Sequence, residues 1–439
     1  MRIAVIGSGI SGLTAARLLS REHEVDVYEQ DSRIGGHTHT HDIVEDGRRL
    51  SIDTGFIVFN RRTYPHFCRL LELVGVESRD SNMSFSVRDE QSGLEYNGTN
   101  LDTLFAQRKN LLSPSFLGML ADIARFNRAA RKLSAGPESA ESLGEFLARG
   151  RFGRAFREHY LIPMGSAVWS AAPSRMLEFP AWTFARFFDN HGFLDLGDRP
   201  QWRVVSGGSR SYLEPLAEPF ARRIHRKAPV VSLARRDAQV FVRTAQGLPR
   251  SYDHAVVAVH SDQALALLED PSDAEREVLG AIEYQENEAV LHTDARLLPR
   301  LPKARAAWNY HVRSPEETHG PGGSRVAVSY WMNSLQSLTA REQYLVTLNR
   351  TASIDPSRIL ARMTYHHPVY TLAGLAAQKR KREISGVRRT HYCGAYWGFG
   401  FHEDGVVSAL DVAASFGQSL EGVPPRERSA EARSRGLAR

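Results

Sequence analysis

A glycine-rich turn near the start of the chain constrains its fold more than any other feature. Residues 2–6 form a short apolar run of the buried parallel-strand type, and Gly7, Gly9 and Gly12 follow it directly. The next stretch, LTAARLLSRE, has helical spacing, and a second short strand then ends at Glu29. Strand, glycine turn, helix, strand and acid in this order predict a dinucleotide-binding βαβ unit.

Each glycine of the turn has a separate task in such a unit. Gly7 permits the tight turn, Gly9 lets the backbone approach a pyrophosphate, and Gly12 lets helix and strand pack closely. The N-terminus of the helix, which includes Ser11, offers free N–H groups and a positive dipole end to the phosphates. Glu29 is placed to accept hydrogen bonds from ribose hydroxyls.

The composition fits a globular chain of two or three folded units. The 439 residues are 42% hydrophobic and 24% charged, which excludes disordered and fibrous classes. The net charge of +6 is too small for a dense nucleic-acid-binding face. No apolar run is long enough to span a bilayer. Two cysteines cannot make a disulfide framework or a Cys-rich metal site, so we expect a reducing, cytoplasmic location.

The residues that follow Glu29 indicate a flavin rather than a nicotinamide cofactor. The segment EQDSRIGGHT, from Glu29 to Thr38, resembles the ExxxxRxGG stretch of the flavin amine oxidase and carotenoid desaturase superfamily. It has one residue fewer between the acid and Arg33, and His37 stands where members often carry Arg. The resemblance implies that the paired glycines pass against FAD and that Arg33 packs by its phosphates. The segment DTGF, which ends at Phe56, resembles the next element, a turn that skirts the isoalloxazine.

Later segments resemble further parts of the same superfamily. Residues 202–213 resemble its central GG segment, and Val230 falls where relatives place a backbone amide and carbonyl against adenine. Residues 390–409 resemble the C-terminal flavin signature, in which a helix N-terminus faces the flavin O2/N1 edge. Together these segments imply noncovalent FAD held by Gly7, Gly9, Ser11, Gly12, Glu29, Gln30, Arg33, Gly35, Gly36, His37, Thr38, Gly55, Phe56, Val230, Gly394, His402, Gly405 and Val406.

The order of these segments predicts an interleaved α/β architecture. A Rossmann-like FAD-binding domain of the GR2/amine oxidase type would be built from residues 1–80, 200–275 and 385–420. An α+β substrate-binding lobe would be built from residues 81–199 and 276–384. Residues 421–439, with five Arg and three Glu, are predicted to be a disordered tail.

Five longer strings resemble a narrower group of flavoproteins. They are GGHTHT (35–40), DTGFIVFN (53–60), LIPMGSAVWS (161–170), FFDNHGFL (187–194) and AYWGFGFHEDG (395–405). The group comprises predicted NAD/FAD-binding proteins related to the N-terminal domain of plant cyclopropane fatty acid synthases. It includes the bacterial methyl-fatty-acid desaturase of furan fatty acid synthesis.

This resemblance implies an FAD-dependent oxidoreductase that desaturates a lipid. The expected substrate is a methylated unsaturated acyl chain of a phospholipid, which loses hydride to flavin N5. Two alternatives stay open. One is an amine oxidase acting on a small or polyamine substrate, with Lys303 as the nearest candidate for a lysine at N5. The other is a non-catalytic flavoprotein partner of a cyclopropane synthase or methyltransferase.

Several residues are candidates for the chemistry at the flavin. Histidine suits proton removal because its pKa lies near neutrality. The catalytic candidates are therefore His366 of the stretch YHHP and His191 of DNHG, together with the carboxylate of Glu403. The substrate-lining candidates are the aromatic residues Phe401, Tyr396, Trp397 and Tyr365. Core packing, a satisfied structural histidine and an acidic helix cap remain the alternative roles for these residues.

The sequence HTHTH at 37–41 places three histidines at alternate positions, which makes a metal site conceivable. Because the stretch continues the flavin-contacting GG turn, we assign no metal and expect these histidines to flank the cofactor. Cys393 is expected to be a small buried residue rather than a covalent link to the flavin.

Residues 113–133 predict an amphipathic helix with Ser113 as its N-cap and Pro114 at its first position. The predicted apolar stripe is Phe116, Leu117, Leu120, Ile123 and Ala124, and the predicted basic side is Arg125, Arg128, Arg131 and Lys132. Two interpretations stay open for this helix. It packs on the rest of the protein, or it makes a peripheral contact with an anionic membrane at the inner face of the cytoplasmic membrane.

Overall fold

The computed structural model describes residues 1–195, 197, 199–236, 238–313, 325–421 and 423. The tail predicted at 421–439 therefore lies almost entirely outside the described residues. The strands are β1 Arg2–Ile6, β2 Glu24–Tyr28, β3 Thr40–Glu45, β4 Arg48–Asp53, β5 Val58–Asn60, β6 Ser78–Asp80, β7 Phe85–Asp89, β8 Glu95–Asn97, β9 Trp202–Val205, β10 Ile224–His225, β11 Val230–Arg236, β12 Gln239–Thr244, β13 Arg250–Tyr252, β14 His254–Val257, β15 Glu283–His292, β16 Trp308–Val312, β17 Val328–Trp331, β18 Leu345–Leu348, β19 Ile359–Val369 and β20 Thr390–Tyr392.

The helices of the same residues are α1 Ile10–Leu19, α2 Pro65–Val74, α3 Leu101–Leu104, α4 Pro114–Ser134, α5 Leu143–Arg149, α6 Arg154–Phe156, α7 Ile162–Trp169, α8 Pro173–Met176, α9 Ala181–Asn190, α10 Leu213–Ala217, α11 Ser261–Leu267, α12 Asp273–Gly280, α13 Met332–Leu335, α14 Leu372–Lys379, α15 Lys381–Ile384 and α16 His402–Ala414. A π-helical turn over Arg157–Leu161 joins α6 to α7.

Five strands form a parallel sheet in the order β10-β2-β1-β14-β20. The middle strand β1 is buried from Ile3 to Ile6, because its apolar side chains pack on both faces of the sheet. The carboxyl ends of the five strands lie along one edge, which brings the turns after β1, β2, β14 and β20 together. Ligands of open α/β sheets bind at this edge.

A second sheet of seven strands has the order β19-β15-β18-β17-β16-β7-β8. Adjacent strands of this sheet are antiparallel, except that β16 and β7 are parallel. Its strands come from residues 85–97 and 283–369, whereas the parallel sheet takes its strands from 2–28, 224–257 and 390–392. The chain therefore leaves the parallel sheet twice to build the second layer. Three smaller sheets, β11-β12-β13, β3-β4 and β5-β9-β6, complete the fold.

The buried apolar side chains divide between the two main sheets. One cluster lies in the lobe, where α9 and its phenylalanines pack with strands of the seven-stranded sheet. Another lies on one face of the parallel sheet, among α1, α2 and α16. Phe401, just before α16, packs against both clusters. It therefore marks the junction between the two parts of the protein.

The helix predicted at 113–133 is α4, and Ser113 caps it by accepting a hydrogen bond from the backbone N–H of Phe116. The predicted apolar stripe is only partly correct. Its buried residues include Phe116, Met119, Phe126 and Ala130, whereas Leu117 and Ala124 are exposed. The buried face packs against α9, so packing orients most of the helix. Among the residues described here, no helix is both long and apolar enough to cross a membrane.

Candidate active site

The glycine turn after β1 has the geometry that its sequence predicts. Gly7 has φ +100°, and a Cβ there would lie 2.7 Å from the carbonyl oxygen of Ala258. A Cβ on Gly12 would overlap the carbonyl oxygen of Gly7, so glycine is required where α1 crosses the turn. Gly9 differs, because no heavy atom lies within 4 Å of a Cβ built there. The open side of Gly9, at the N-terminus of α1, fits a cofactor phosphate.

Glu29 lies at the end of β2, beside this turn. Its carboxylate accepts hydrogen bonds from the backbone N–H of Ser8 (3.1 Å), from the Ser8 hydroxyl and from the backbone N–H of Asp31 (2.9 Å). The backbone N–H of Ala228 donates to the carbonyl of Glu29, which brings the segment entering β11 at Val230 alongside. The side chain of Gln30 is exposed. These contacts place Glu29 and Val230 together, as expected for a ribose and adenine end.

The paired glycines Gly35 and Gly36 lie directly on the glycine turn. The N–H of Gly35 donates to the carbonyl of Ser8 (2.9 Å), and a Cβ on Gly36 would be 3.2 Å from the Cα of Gly9. Both glycines have positive φ. Arg33 closes the turn by donating from Nη1 to the carbonyl of Thr38 (3.1 Å). The wall beside Gly9 is therefore made of backbone, which lets a flat, extended cofactor approach closely.

The C-terminal signature meets the same turn from the other side. Helix α16 crosses α1 at Gly405, where a Cβ would lie 2.8 Å from Ile10 and 3.0 Å from the hydroxyl of Ser11. Val406 is fully buried beneath this crossing. The N-terminal ends of both helices therefore point toward the carboxyl edge of the parallel sheet, where their dipoles favour negative charge.

His402 and Phe56 connect the two flavin-type turns. Their rings stack with centroids 3.5 Å apart, and Nε2 of His402 lies 3.0 Å from the Tyr212 hydroxyl and 3.1 Å from the Thr38 hydroxyl. Burial lowers the pKa of His402 well below its usual value. Gly55 fits beneath the carbonyl of His37, which a Cβ there would overlap. The predicted cofactor residues at 38, 55, 56 and 402 therefore form one packed unit.

Asp53 anchors this unit from within. The carboxylate is fully buried and accepts hydrogen bonds from the Thr40 hydroxyl (2.6 Å), from the N–H of Ser209 (2.9 and 3.0 Å) and from Nε2 of Gln336 (3.1 Å). Burial raises the pKa of Asp53 to about 6, although the hydrogen bonds from Thr40 and Ser209 lower it. Three separate parts of the chain are held together at this one side chain.

Four aromatic rings gather where the lobe meets the paired-glycine turn. The ring of His37 lies 5.2 Å from Tyr365, 5.6 Å from His367 and 5.7 Å from His260. Burial and the neighbouring His260 lower the pKa of His37 to about 3. Burial likewise lowers the pKa of His260 to about 4 and that of His367 to about 3. Nε2 of His37 is buried without a hydrogen-bond partner in the described part of the chain, which fits a polar group of the cofactor.

The alternating histidines do not form a metal centre. The rings of His39 and His41 lie 4.2 Å apart, whereas His37 faces His260 and His367. Within the described ranges, no group of three or more His, Cys, Asp or Glu side chains could hold a metal ion. Cys393 is buried, and burial raises the pKa of its thiol to about 12, so it is an unreactive packing residue.

Phe401 lies among aromatic side chains of the lobe. Its ring stacks on Phe187 at 5.1 Å, and His191 lies 6.0 Å away. Nδ1 of His191 lies 2.9 Å from the carbonyl oxygen of Phe187 and donates to it, which leaves Nε2 as the unprotonated acceptor. Burial lowers the pKa of His191 to about 4. His191 also lines a cavity of about 200 Å³ together with Phe193 and Trp202.

The structure separates the other catalytic candidates from this junction. Glu403 caps α2, because its carboxylate accepts hydrogen bonds from the backbone N–H groups of His66 (3.0 Å) and Phe67 (2.9 Å). The side chain of His366 is exposed, 3.9 Å from Glu286, since strand alternation in β19 turns it away from Tyr365 and His367. These contacts fit a helix cap for Glu403 and a surface contact for His366, rather than the predicted role of proton acceptor.

Three further candidates lie in places that do not fit their predicted roles. Trp397 packs on the cluster beneath the other face of the parallel sheet, and Lys381 lies over its ring at 5.7 Å. The ring of Tyr396 folds back over Gly394, where it fills the space of a side chain. Lys303 lies on the surface in an ion pair with Asp102 (2.8 Å), so it cannot stand at flavin N5. Tyr365, predicted to line the substrate site, lies beside the paired-glycine turn, where its hydroxyl contacts Thr54 (3.1 Å) and His39 (3.2 Å).

Sequence reasoning missed several residues of the site. His260 follows the buried strand β14, and the end of a strand at this sheet edge is a position that could have identified it. Asp404 has a pKa raised to about 7 by burial, although it accepts a hydrogen bond from the N–H of Phe401 (2.9 Å). Tyr212 lies in the central GG segment, but no pattern in the sequence pointed to its contact with His402.

Comparison with known proteins agrees with this geometry. The model of the flavin-containing amine oxidoreductases matches residues 10–415. A Mycobacterium tuberculosis protein with the provisional name flavin-containing monoamine oxidase AofH is 26% identical over 284 residues, which are 61% of this chain and 59% of that protein. The chain thus spans little more than half the length of this relative.

Two solved structures show the same fold. Cyclohexylamine oxidase from Brevibacterium oxydans has a TM-score of 0.68 at 17% identity, and the match covers 94% of this chain and 98% of that one. The CLA-producing fatty acid isomerase from P. acnes has a TM-score of 0.67 at 18% identity, with the same coverage. The predicted α/β fold, FAD cofactor and oxidoreductase class are thereby confirmed. The chain belongs to the flavin-containing amine oxidoreductase family and is an FAD-dependent oxidoreductase.

Proposed function

We propose that this FAD-dependent oxidoreductase desaturates a lipid, with the methylated unsaturated acyl chain of a phospholipid as its substrate. The observation that carries the proposal is the character of the junction at Phe401. Phe187, Phe399 and Phe401 pack together there, and these rings offer apolar surface without hydroxyl groups. Such a surface suits a hydrocarbon, whereas an ammonium group would lose its hydration against it.

The positions of the lysines favour the same conclusion. Lys109, Lys132, Lys227, Lys303 and Lys379 are exposed, and Lys381 pairs with Asp411 (2.9 Å). These positions disfavour the amine oxidase alternative, in which a lysine is expected near N5. A fatty acid isomerase among the solved structures of the same fold supports an acyl substrate.

The cofactor, the aromatic rings and His191 would each have a separate role in the reaction. Bound FAD supplies the hydride acceptor. The rings around Phe401 would exclude water from the reacting C–H bond. Nε2 of His191 would accept the proton from the neighbouring carbon, because the lowered pKa of about 4 keeps it unprotonated at neutral pH and its Nδ1–H is already committed to Phe187. Loss of one hydride and one proton from adjacent carbons leaves a new C=C bond.

Anaerobic mixing of the purified yellow protein with candidate substrates tests the proposal. A methylated unsaturated phospholipid in detergent micelles should bleach the flavin absorbance, and a saturated unmethylated phospholipid in the same micelles should not. Bleaching by polyamines but not by the lipid would favour the amine oxidase alternative instead. No bleaching by either class would favour a non-catalytic partner of a methyltransferase or cyclopropane synthase.

The His191→Gln variant should slow flavin reduction by the active lipid about 100-fold, because a general base is removed while the amide can still donate to Phe187. His366→Gln is the matched control, because its exposed side chain lies off the junction, and its rate should stay within about twofold. Stopped-flow measurement at 450 nm gives both rates. If His191→Gln reduces its flavin as fast as the unmodified enzyme, the base lies elsewhere.

A further inference from the structure

Four exposed leucines lie within a single short region of the surface. They are Leu101 of α3, Leu111 and Leu112 of the 3-10 turn Arg108–Leu112, and Leu117 of α4. Leu112 is 87% exposed. An ion pair between Asp102 and Arg108 joins α3 to the turn, so these elements form one surface. We call residues 101–117 the leucine surface.

The leucine surface also carries exposed cations. Residues 100–117 contain Arg108, Lys109 and Asp102, and Lys303 pairs with Asp102, so this surface carries a net charge of +2. The one acidic side chain, Asp102, is neutralised, because it pairs with both Arg108 and Lys303. Lys109, beside Leu111, is exposed. Exposed apolar side chains flanked by cations match the hydrocarbon and phosphate levels of an anionic bilayer.

A cavity lies under the same turn. It has a volume of about 320 Å³, and Lys109, Ser113, Ser115 and His159 line it together with Phe116 and Met119. An ammonium group and hydroxyls suit a phosphate, while the two apolar side chains suit the first carbons of an acyl chain. Because Lys109 and Ser113 border both the cavity and the exposed leucines, a lipid at the leucine surface would have its head group next to these donors.

We propose that the leucine surface docks the enzyme on an anionic phospholipid bilayer, with the leucines in the acyl region and Lys109 at the phosphate level. The docking does not span the membrane, because it uses side chains of a turn and of one helix end. It would let the enzyme draw its acyl substrate from the bilayer, and in this respect the inference rests on the proposed function. The membrane contact considered for the whole of α4 is thereby confined to the N-terminal end of that helix.

Flotation of the FAD-loaded full chain with vesicles tests the docking. The protein should bind vesicles of phosphatidylcholine mixed with phosphatidylglycerol, and bind vesicles of phosphatidylcholine alone at least about tenfold more weakly. Leu112→Asp should weaken binding to the mixed vesicles at least about tenfold. Leu248→Asp is the matched control, because Leu248 is 88% exposed elsewhere on the surface, and it should bind normally.

Charge reversal provides an independent pair of variants. Lys109→Glu should weaken binding about tenfold or more, whereas Lys227→Glu, at another exposed position, should change it by less than about threefold. Each variant must keep the thermal unfolding temperature of the unmodified enzyme. Equal binding by Leu112→Asp and Leu248→Asp, or no preference for phosphatidylglycerol, would overturn the docking. Bleaching by micellar lipid needs no bilayer, so failure of docking and failure of the proposed function are distinguishable.

Discussion

The Gly9→Val variant is expected to fold normally and to lose its FAD. No heavy atom lies within 4 Å of a Cβ at Gly9, and its φ of −67° suits a β-branched residue, so the apoprotein should change in stability by less than about 1 kcal/mol. The added side chain would fill the space at the N-terminus of α1 that the cofactor phosphates need. FAD affinity should fall at least about 100-fold, which corresponds to about 3 kcal/mol.

Two other glycines sharpen this test. Gly118→Val on α4 is the matched control, because a Cβ there also meets no atom within 4 Å, and this variant should remain yellow. Gly12→Ala should behave differently, since its Cβ would overlap the carbonyl oxygen of Gly7 and destabilise the apoprotein itself. Flavin absorbance per mole of protein and urea unfolding of each apoprotein separate the two effects. Full flavin content in Gly9→Val would refute the phosphate site.

The parts of the fold whose backbone geometry follows from the sequence share one property. The strand, glycine turn, helix and acid from Arg2 to Glu29 are adjacent in sequence, so each requirement for backbone geometry appears as a residue type at a fixed spacing. Gly405 belongs to the same class, because the space at a helix crossing admits no larger side chain. Backbone constraints of this kind can be predicted from the sequence before any tertiary contact is known.

The parts that the sequence did not predict depend on contacts between distant segments. His37, His260 and His367 come from three separate regions and meet only when the lobe packs on the parallel sheet. The spacing of Glu403 fits an acid at the start of its own helix, yet its carboxylate caps α2 instead. The choice between His366 and His367 depended on the pleat of β19, which a two-histidine motif does not determine.

The apoprotein is expected to lose stability steeply between about pH 7 and pH 5, because buried neutral histidines must take up protons when it unfolds. Burial lowers the pKa values of His191, His292 and His391 to about 4 from 6.5. A histidine whose pKa is depressed in the folded state stabilises the fold at pH values above its pKa in the unfolded chain. This contribution is lost as the pH falls. Each histidine should cost about 2 kcal/mol at pH 5, together a large part of a domain's stability.

The local contacts explain why these histidines resist protonation. Nδ1 of His292 accepts a hydrogen bond from the backbone N–H of Asp294 (3.0 Å), and Nε2 donates to the Thr347 hydroxyl (2.7 Å). A proton on Nδ1 would break the first of these bonds in a fully buried site. Nε2 of His391 lies 3.3 Å from Nδ1 of His254, so the two rings cannot both carry a charge.

Two substitutions should change the pH dependence in opposite directions. His292→Asn removes one titrating histidine, so the loss of unfolding free energy from about pH 7 to pH 5 should shrink by about 2 kcal/mol. Asp53 acts in the opposite direction, because its pKa is raised to about 6 and its protonation stabilises the fold as the pH falls through this range. Asp53→Asn should therefore enlarge the loss of unfolding free energy by about 1 kcal/mol. Asp404 also has a raised pKa and opposes the histidines in the same way, but the histidines are more numerous.

Urea titrations of the FAD-free proteins at both pH values measure these differences in unfolding free energy. Stability that is equal at both pH values in the unmodified chain would contradict the prediction, whereas a shallower loss in His292→Asn and a steeper one in Asp53→Asn would assign it to these side chains.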